Sequence, residues 1–196
     1  MTGFLARRAK LLAVVLLMAA SGLVLLGTTQ TWLSVSIAEA QRVFPVSGSD
    51  APPMAQPLAL AVLALSLVLT LVGRVLRYVL GALATAAGVG LVAAILPIVT
   101  GPPVSAYAVS VTEHTGLAGD EAIADIVSSI DQTAWPLVCL VASVVVVLAG
   151  AFVLATAHLW RSGGRRFDTT PHAPAAGPID PIDSWDDLSH GEDPTR

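Results

Sequence analysis

The run from Leu11 to Ala38 constrains this chain more than any other stretch. It holds 28 residues without a formal charge and is entered through the basic cluster Arg7-Arg8-Ala9-Lys10. Its first 17 residues, Leu11 to Gly27, are almost all Leu, Val, Ala, Met and Gly. At a rise of about 1.5 Å per residue, roughly 20 residues cross a hydrocarbon core of about 30 Å. The run therefore predicts a membrane-spanning helix over residues 11–31, with its basic flank held in the cytoplasm. A cleaved secretory signal is the rival reading, because Ala38-Glu39-Ala40 has the A-x-A form. An apolar core of 17 residues exceeds the usual length of about 7–15, which favours an uncleaved helix.

The rest of the chain repeats the pattern. Of its 196 residues only 12% are charged, against about 25% in a soluble domain, and the mean hydropathy is +0.76. A second span is predicted over residues 57–73, opened by Pro57 where the missing N–H costs nothing. Its ten Leu or Val residues contribute about −3 to −6 kcal/mol to insertion. Arg74-Val75-Leu76-Arg77 reads as a turn, and Tyr78 opens a third span over residues 78–99. There Ala84/Gly88 and Ala86/Gly90 place small residues four apart, a spacing that lets helix backbones approach closely in lipid. Pro97 marks a kink or an end near its outer face. A fourth span over residues 135–160 carries seven Val and four Leu between Leu137 and Leu154, and Trp135 and Trp160 bracket it.

The charges set the orientation. The segments predicted to stay inside hold Arg7, Arg8, Lys10, Arg74, Arg77, Arg161, Arg165 and Arg166, and the outer loops hold Arg42 alone. That asymmetry predicts both termini in the cytoplasm. Trp32, Trp135, Trp160 and Tyr78 fall at span ends, where amphipathic rings anchor a helix at the lipid interface. In the first outer loop Ser34 to Ile37 alternates polar and apolar, which allows a short extended piece. The second outer loop has five acidic residues and no basic one. Within it, Ile123, Ile126, Val127 and Ile130 recur at three- and four-residue steps, predicting an amphipathic helix over Asp120–Ile130 on the outer surface.

The net charge of −4 hides a split: residues 1–166 carry +2 and residues 167–196 carry −6. Residues 1–166 thus read as the transmembrane domain, and the Pro-rich acidic remainder as a disordered cytoplasmic tail. Within the tail, Trp185 and Leu188 stand three apart among acids, a spacing that lets one helical face dock on a cytosolic protein. An acidic balance with no clustered basic surface argues against a nucleic-acid partner.

Chemistry-bearing constellations are few. The predicted spans contain no Asp, Glu, Lys or Arg, which argues against a pump or proton-coupled carrier. His114 stands beside Glu113, with Asp120, Glu121 and Asp125 following, but without the i, i+3 or i, i+4 spacing of a metal site. Ser47-Gly48-Ser49-Asp50 has no histidine close in sequence to complete a triad. The one cysteine, Cys139, lies in an apolar run and has no partner for a disulfide. No catalytic, cofactor or metal residue is assigned, and the chain is expected not to be an enzyme.

Several segments, in this order and spacing, resemble one family. They are TQTWLSV at 29–35, PVSGSDAPP at 45–53, LGALATAAGVG at 80–90, TAWPLV at 133–138, RRFD at 165–168 and WDDLSHGEDPT at 185–195. The chain resembles actinobacterial membrane proteins associated with the tryptophan-biosynthesis operon. That resemblance implies four spans, a bacterial plasma-membrane location and a link to tryptophan synthesis, and it brings no catalytic residues. The expectation is an all-α, four-span membrane protein with both ends inside. Its role is that of an accessory or scaffold protein, with the lipid bilayer as its first partner and a cytosolic protein as a second. The alternative is a small transporter or export component for an aromatic amino acid or a related metabolite.

Overall fold

The computed structural model describes residues 2–37, 42–117 and 119–160. Four helices run through it: α1 (Thr2–Thr28), α2 (Ala55–Val68), α3 (Arg74–Thr100) and α6 (Trp135–Thr156). Between them lie β1 (Thr31–Ile37), β2 (Arg42–Ser47), a 3-10 turn (Val104–Ala106), α4 (Ala108–Thr115), α5 (Asp120–Ile126) and β3 (Val127–Gln132). A last 3-10 turn, Ala157–Leu159, follows α6.

The four long elements pack as a ring, α1 on α2, α2 on α3, α3 on α6 and α6 on α1. Hydrogen bonds at the two ends fix their directions. At one end Lys10 Nζ donates to the Thr70 carbonyl (2.7 Å) and Arg77 Nη1 to the Trp160 carbonyl (3.0 Å). This joins the start of α1 to the end of α2, and the start of α3 to the end of α6. At the other end Gln132 Nε2 donates to the Ile98 carbonyl (2.8 Å). Neighbouring helices are therefore antiparallel, and the first and last helices begin and finish at the same end.

Small residues decide the closest crossing. Gly81, Ala84 and Gly88 of α3 face α6 and are buried. A methyl group built on Gly88 would lie 2.9 Å from the Val147 amide nitrogen, and one on Gly150 would lie 2.8 Å from that of Thr85. Helix backbones approach this closely only where no side chain intervenes. Gly90 turns instead toward Leu58 of α2.

The other end of the bundle carries a sheet of order β2-β1-β3, antiparallel throughout. β1 alternates with Leu33, Val35 and Ile37 buried and Ser34 and Ser36 partly exposed, as its sequence alternation requires. Phe44 and Val46 of β2, Val111 of α4 and Ile123 of α5 close the same core, which runs down onto Ile95, Ile98 and Cys139 at the helix ends. The α1–α2 and α3–α6 connections thus form one folded cap, continuous with the bundle.

Several expectations are corrected. The fold is mostly helical and not all-α, because a three-stranded sheet is built from the α1–α2 and α3–α6 connections. The amphipathic helix stops at Ile126, and Val127–Gln132 is a strand. Its two serines and β-branched Val127 and Ile130 favour extended backbone, and β1 offers an open edge, so tertiary pairing overrides the helical spacing. Arg74–Arg77 is the first turn of α3, and the connection lies at Leu69–Gly73. The first helix ends at Thr28 and not at Thr31, which is already in β1. α3 runs through Pro97 to Thr100, as Pro97 lies in the last turn. Three helices, Arg8–Thr28, Arg74–Thr100 and Trp135–Thr156, are long and apolar enough to cross a membrane; Ala55–Val68 is shorter.

Candidate functional site

Three of the segments that carry the family resemblance, 29–35, 45–53 and 133–138, meet where the sheet joins the bundle. Trp32 is the centre of that junction. Its indole is fully buried, and Nε1 donates to the Gly27 carbonyl at the end of α1 (2.7 Å). Gly27 can have no side chain, since a methyl group there would collide with Cys139 Sγ from α6. Gly48 is fixed similarly: a methyl group would strike the Trp32 ring and lie 2.8 Å from Thr28 Cα. Trp32 thereby ties the end of α1 to the turn after β2, while the bare Gly27 lets α6 pack on α1 beside it.

Hydrogen bonds join 45–53 and 133–138 to 29–35. Gly48 N donates to the Gln30 carbonyl (3.0 Å), and Thr133 N donates to the Trp32 carbonyl (3.0 Å). The Thr133 hydroxyl donates to the Thr31 carbonyl (2.8 Å). So residues 29–35, 45–53 and 133–138, distant in sequence, share one small region of space. The Asp50 carboxylate accepts from Ser47 Oγ (2.6 Å) and more weakly from Ser49 Oγ (3.5 Å), which locks the turn after β2. The chemistry visible here is adhesive: every named donor ends on a backbone carbonyl or in a turn.

The loop titratable groups are spread over the cap. His114 tilts against the Phe44 ring with centroids 4.9 Å apart, and its Nδ1 lies 2.7 Å from the Ser110 carbonyl. The ring is thereby engaged by its own helix and by β2, away from Ser47 and Asp50. No group of three or more His, Cys, Asp or Glu side chains placed to hold a metal occurs among the described residues. Tyr107 is buried under the cap; burial first, and the Asp120 carboxylate second, push its phenol above the ordinary tyrosine value.

The expected interfacial anchors divide. Tyr78 is 38% exposed on the bundle surface, and Trp135 is half-buried at the start of α6. Trp32 and Trp160 differ: they are 0% and 1% exposed, their rings covered by protein and not open on the surface. Sequence position puts a tryptophan near a helix end; packing turns it inward, with the Gly27 carbonyl as a partner for Trp32 and none for the Trp160 indole N–H. Among the arginines expected to set topology, Arg77 is 3% exposed and lies over the Trp160 ring at 5.5 Å. Arg74 begins the same helix, and Arg8 and Lys10 stand on α1 at the same end. Arg161, Arg165, Arg166, Trp185, Leu188 and the side chain of Arg7 lie outside the described residues.

The outer face of the bundle is apolar. Leu11, Val15, Leu26, Leu60, Leu83, Val141 and Leu148 are all at least half exposed. Water tolerates no such belt on a soluble protein, while lipid does. These features define an integral membrane protein made of an apolar helical bundle with a folded cap on one end. More particularly, the chain belongs to the family of tryptophan-associated transmembrane proteins, whose family model matches residues 14–195. No curated protein and no solved structure matches the chain.

Proposed function

We propose that this chain is a non-enzymatic accessory or scaffold protein of the bacterial plasma membrane, serving tryptophan biosynthesis. In this reading four helices span the bilayer, both termini lie in the cytoplasm and the sheet cap faces outward. The shortness of α2 is compatible with this. Hydrogen bonds from Leu69, Thr70 and Leu71 back to Leu65, Leu67 and Val68 prolong its turns, and the Lys10–Thr70 bond carries it to the end where α1 starts. Lysine and arginine gather at that end, which suits the cytoplasmic side.

One observation carries the scaffold reading: the hydroxyls of Ser21, Ser66, Thr85 and Ser143 in the bundle are committed to their own helices. Ser21 donates to the Leu17 carbonyl (2.7 Å), Ser66 to Leu63 (2.6 Å), Thr85 to Gly81 (2.8 Å) and Ser143 to Cys139 (2.7 Å). A zwitterionic solute needs polar groups free to replace its water. Hydroxyls bound to their own backbone do not supply them. The tie to tryptophan synthesis then runs through a protein contact, and the tail residues Trp185 and Leu188 are the proposed contact on the cytosolic side.

Crosslinking pull-down from native membranes tests this. The scaffold reading predicts a cytosolic protein that co-purifies with the full chain and is lost when residues 184–195 are removed. No partner, together with altered tryptophan uptake or efflux in a deletion strain at normal enzyme levels, would replace it with the transporter reading.

A further inference from the structure

The α2–α3 turn presents the barest apolar side chains in the bundle. Leu71 is 88% and Val75 81% exposed, above every other large apolar side chain among the described residues, and Leu76 beside them is 47% exposed. Arg74 sits among them and is exposed as well. Water disfavours such a tip in proportion to its apolar area.

The cap gives the depth of this turn. An open sheet edge does not lie in hydrocarbon against lipid. The cap, whose β1 starts at Thr31, therefore bounds the hydrocarbon on its own side. On α1 that boundary falls at Thr28, the last helical residue, and on α3 at Ile95, the deepest α3 residue of the cap core. A hydrocarbon core of about 30 Å, measured from either mark, takes in about 20 residues. It reaches residue 8 on α1 and Val75 on α3. The two rulers agree with the packing. Leu69 shares a buried cluster with Ala13 and Val14, and the Lys10–Thr70 bond sets the turn beside the start of α1. Leu71, Val75 and Leu76 thus fall at the inner edge of the hydrocarbon and not beyond it.

We infer that the α2–α3 turn is an apolar anchor embedded in the inner edge of the lipid bilayer, with Leu71, Val75 and Leu76 among acyl chains and Arg74 reaching out to the headgroup phosphates. Continuity selects lipid as the occupant. Val75, Val79 and Leu83 follow one another at steps of four on α3 and are all exposed, so the tip extends the lipid-facing belt. A long basic side chain carries its charge to the interface while its stem stays in hydrocarbon. Arg77 lies deeper and takes the other course. Its Nη1 donates to the Trp160 carbonyl and its guanidinium packs over the Trp160 ring, so protein holds its charge. Charge alone would leave this turn in the cytosol. The inference rests on the four-span reading and is independent of the scaffold role.

The test measures depth by spin labelling. Leu71→Cys, Val75→Cys, Leu83→Cys and Ser34→Cys, each in a Cys139→Ala background, carry a nitroxide in the full chain, reconstituted into bilayers of phosphatidylcholine and phosphatidylglycerol. Oxygen concentrates in hydrocarbon and a neutral nickel chelate in water, so the ratio of their collision rates reads depth. The expected ratio at Leu71 and Val75 is several-fold above that at Ser34 on the cap and below that at Leu83 in mid-span. Circular dichroism and the unfolding midpoint confirm that each variant is folded, and Leu76→Cys replaces one that is not. A ratio at Leu71 and Val75 equal to that at Ser34 overturns the inference and leaves the four-span reading standing. An aqueous ratio at Leu83 overturns both. Low collision rates with both reagents at the turn, or spin–spin broadening between copies, mean a protein cover in place of lipid and overturn the inference too.

Discussion

Replacing Trp32 by alanine probes the junction of cap and bundle at its centre. The side chain is fully buried and lies in the core that links the sheet to Ile95, Ile98 and Cys139. Truncating a buried Trp to Ala costs about 3–5 kcal/mol, because the cavity closes only in part. Loss of the Nε1 bond to the Gly27 carbonyl accounts for about 1 kcal/mol of this. Trp32→Phe keeps most of the volume and isolates that smaller part, so its expected cost is about 1–2 kcal/mol. Against a total stability of about 5–15 kcal/mol, the alanine variant loses a large share. The assay is reversible unfolding in mixed micelles followed by circular dichroism, paired with limited proteolysis of the cap. The expected order is wild type, then Phe, then Ala, with the cap cleaved first in Trp32→Ala. A lipid anchor at the membrane surface would behave differently. It would tolerate alanine in micelles, and its fluorescence would be quenched by brominated lipid. A loss below about 1 kcal/mol for Trp32→Ala, together with such quenching, would refute the reasoning.

Further expectations follow from the same contacts. Gly88→Leu pushes α3 off the Val147 backbone and should lower stability by about 1–3 kcal/mol or more, read in the same unfolding titration. Cys139 is fully buried, so maleimide should label it only after denaturation; rapid labelling of the native chain contradicts the packing of Gly27 on α6. The raised Tyr107 phenol adds stability that is complete below the ordinary tyrosine value and is lost as pH rises through the folded value. Tyr107→Phe should flatten that alkaline slope, measured as the unfolding midpoint against pH. In pull-downs, Trp185→Ala with Leu188→Ala should release the cytosolic partner while leaving the protein in the membrane.

The helices were legible because lipid imposes a simple rule: long uncharged runs of Leu, Val and Ala must be helical and must lie across the bilayer. Runs such as Leu11–Gly27 and Leu137–Leu154 leave no other choice. The pairing of Ala84 with Gly88 was readable for a similar reason, since a residue spacing maps directly onto a helix face. The cap was not legible as a unit. β1 and β3 are nearly a hundred residues apart, and nothing local tells Ser34 that Asp131 is its partner. A spacing of three and four in Ile123 to Ile130 fits a helix as well as a helix followed by a strand. The signal that could have exposed the junction was compositional. Gly27, Trp32 and Gly48, near three ends of elements, mark a bulky ring that needs two bare backbones beside it.

The most direct test of the central claim is a crosslink across the sheet in intact cells. Ser34 and Asp131 are opposite one another on β1 and β3, in the separate connections that build the cap. In a Cys139→Ala background, Ser34→Cys with Asp131→Cys should give an internal disulfide on mild oxidation, since opposed strand residues lie within bridging distance. Before oxidation, both thiols should react with a membrane-impermeant maleimide from outside. Failure to crosslink, or labelling only after the cells are broken, would contradict a single outward-facing cap formed by the two connections.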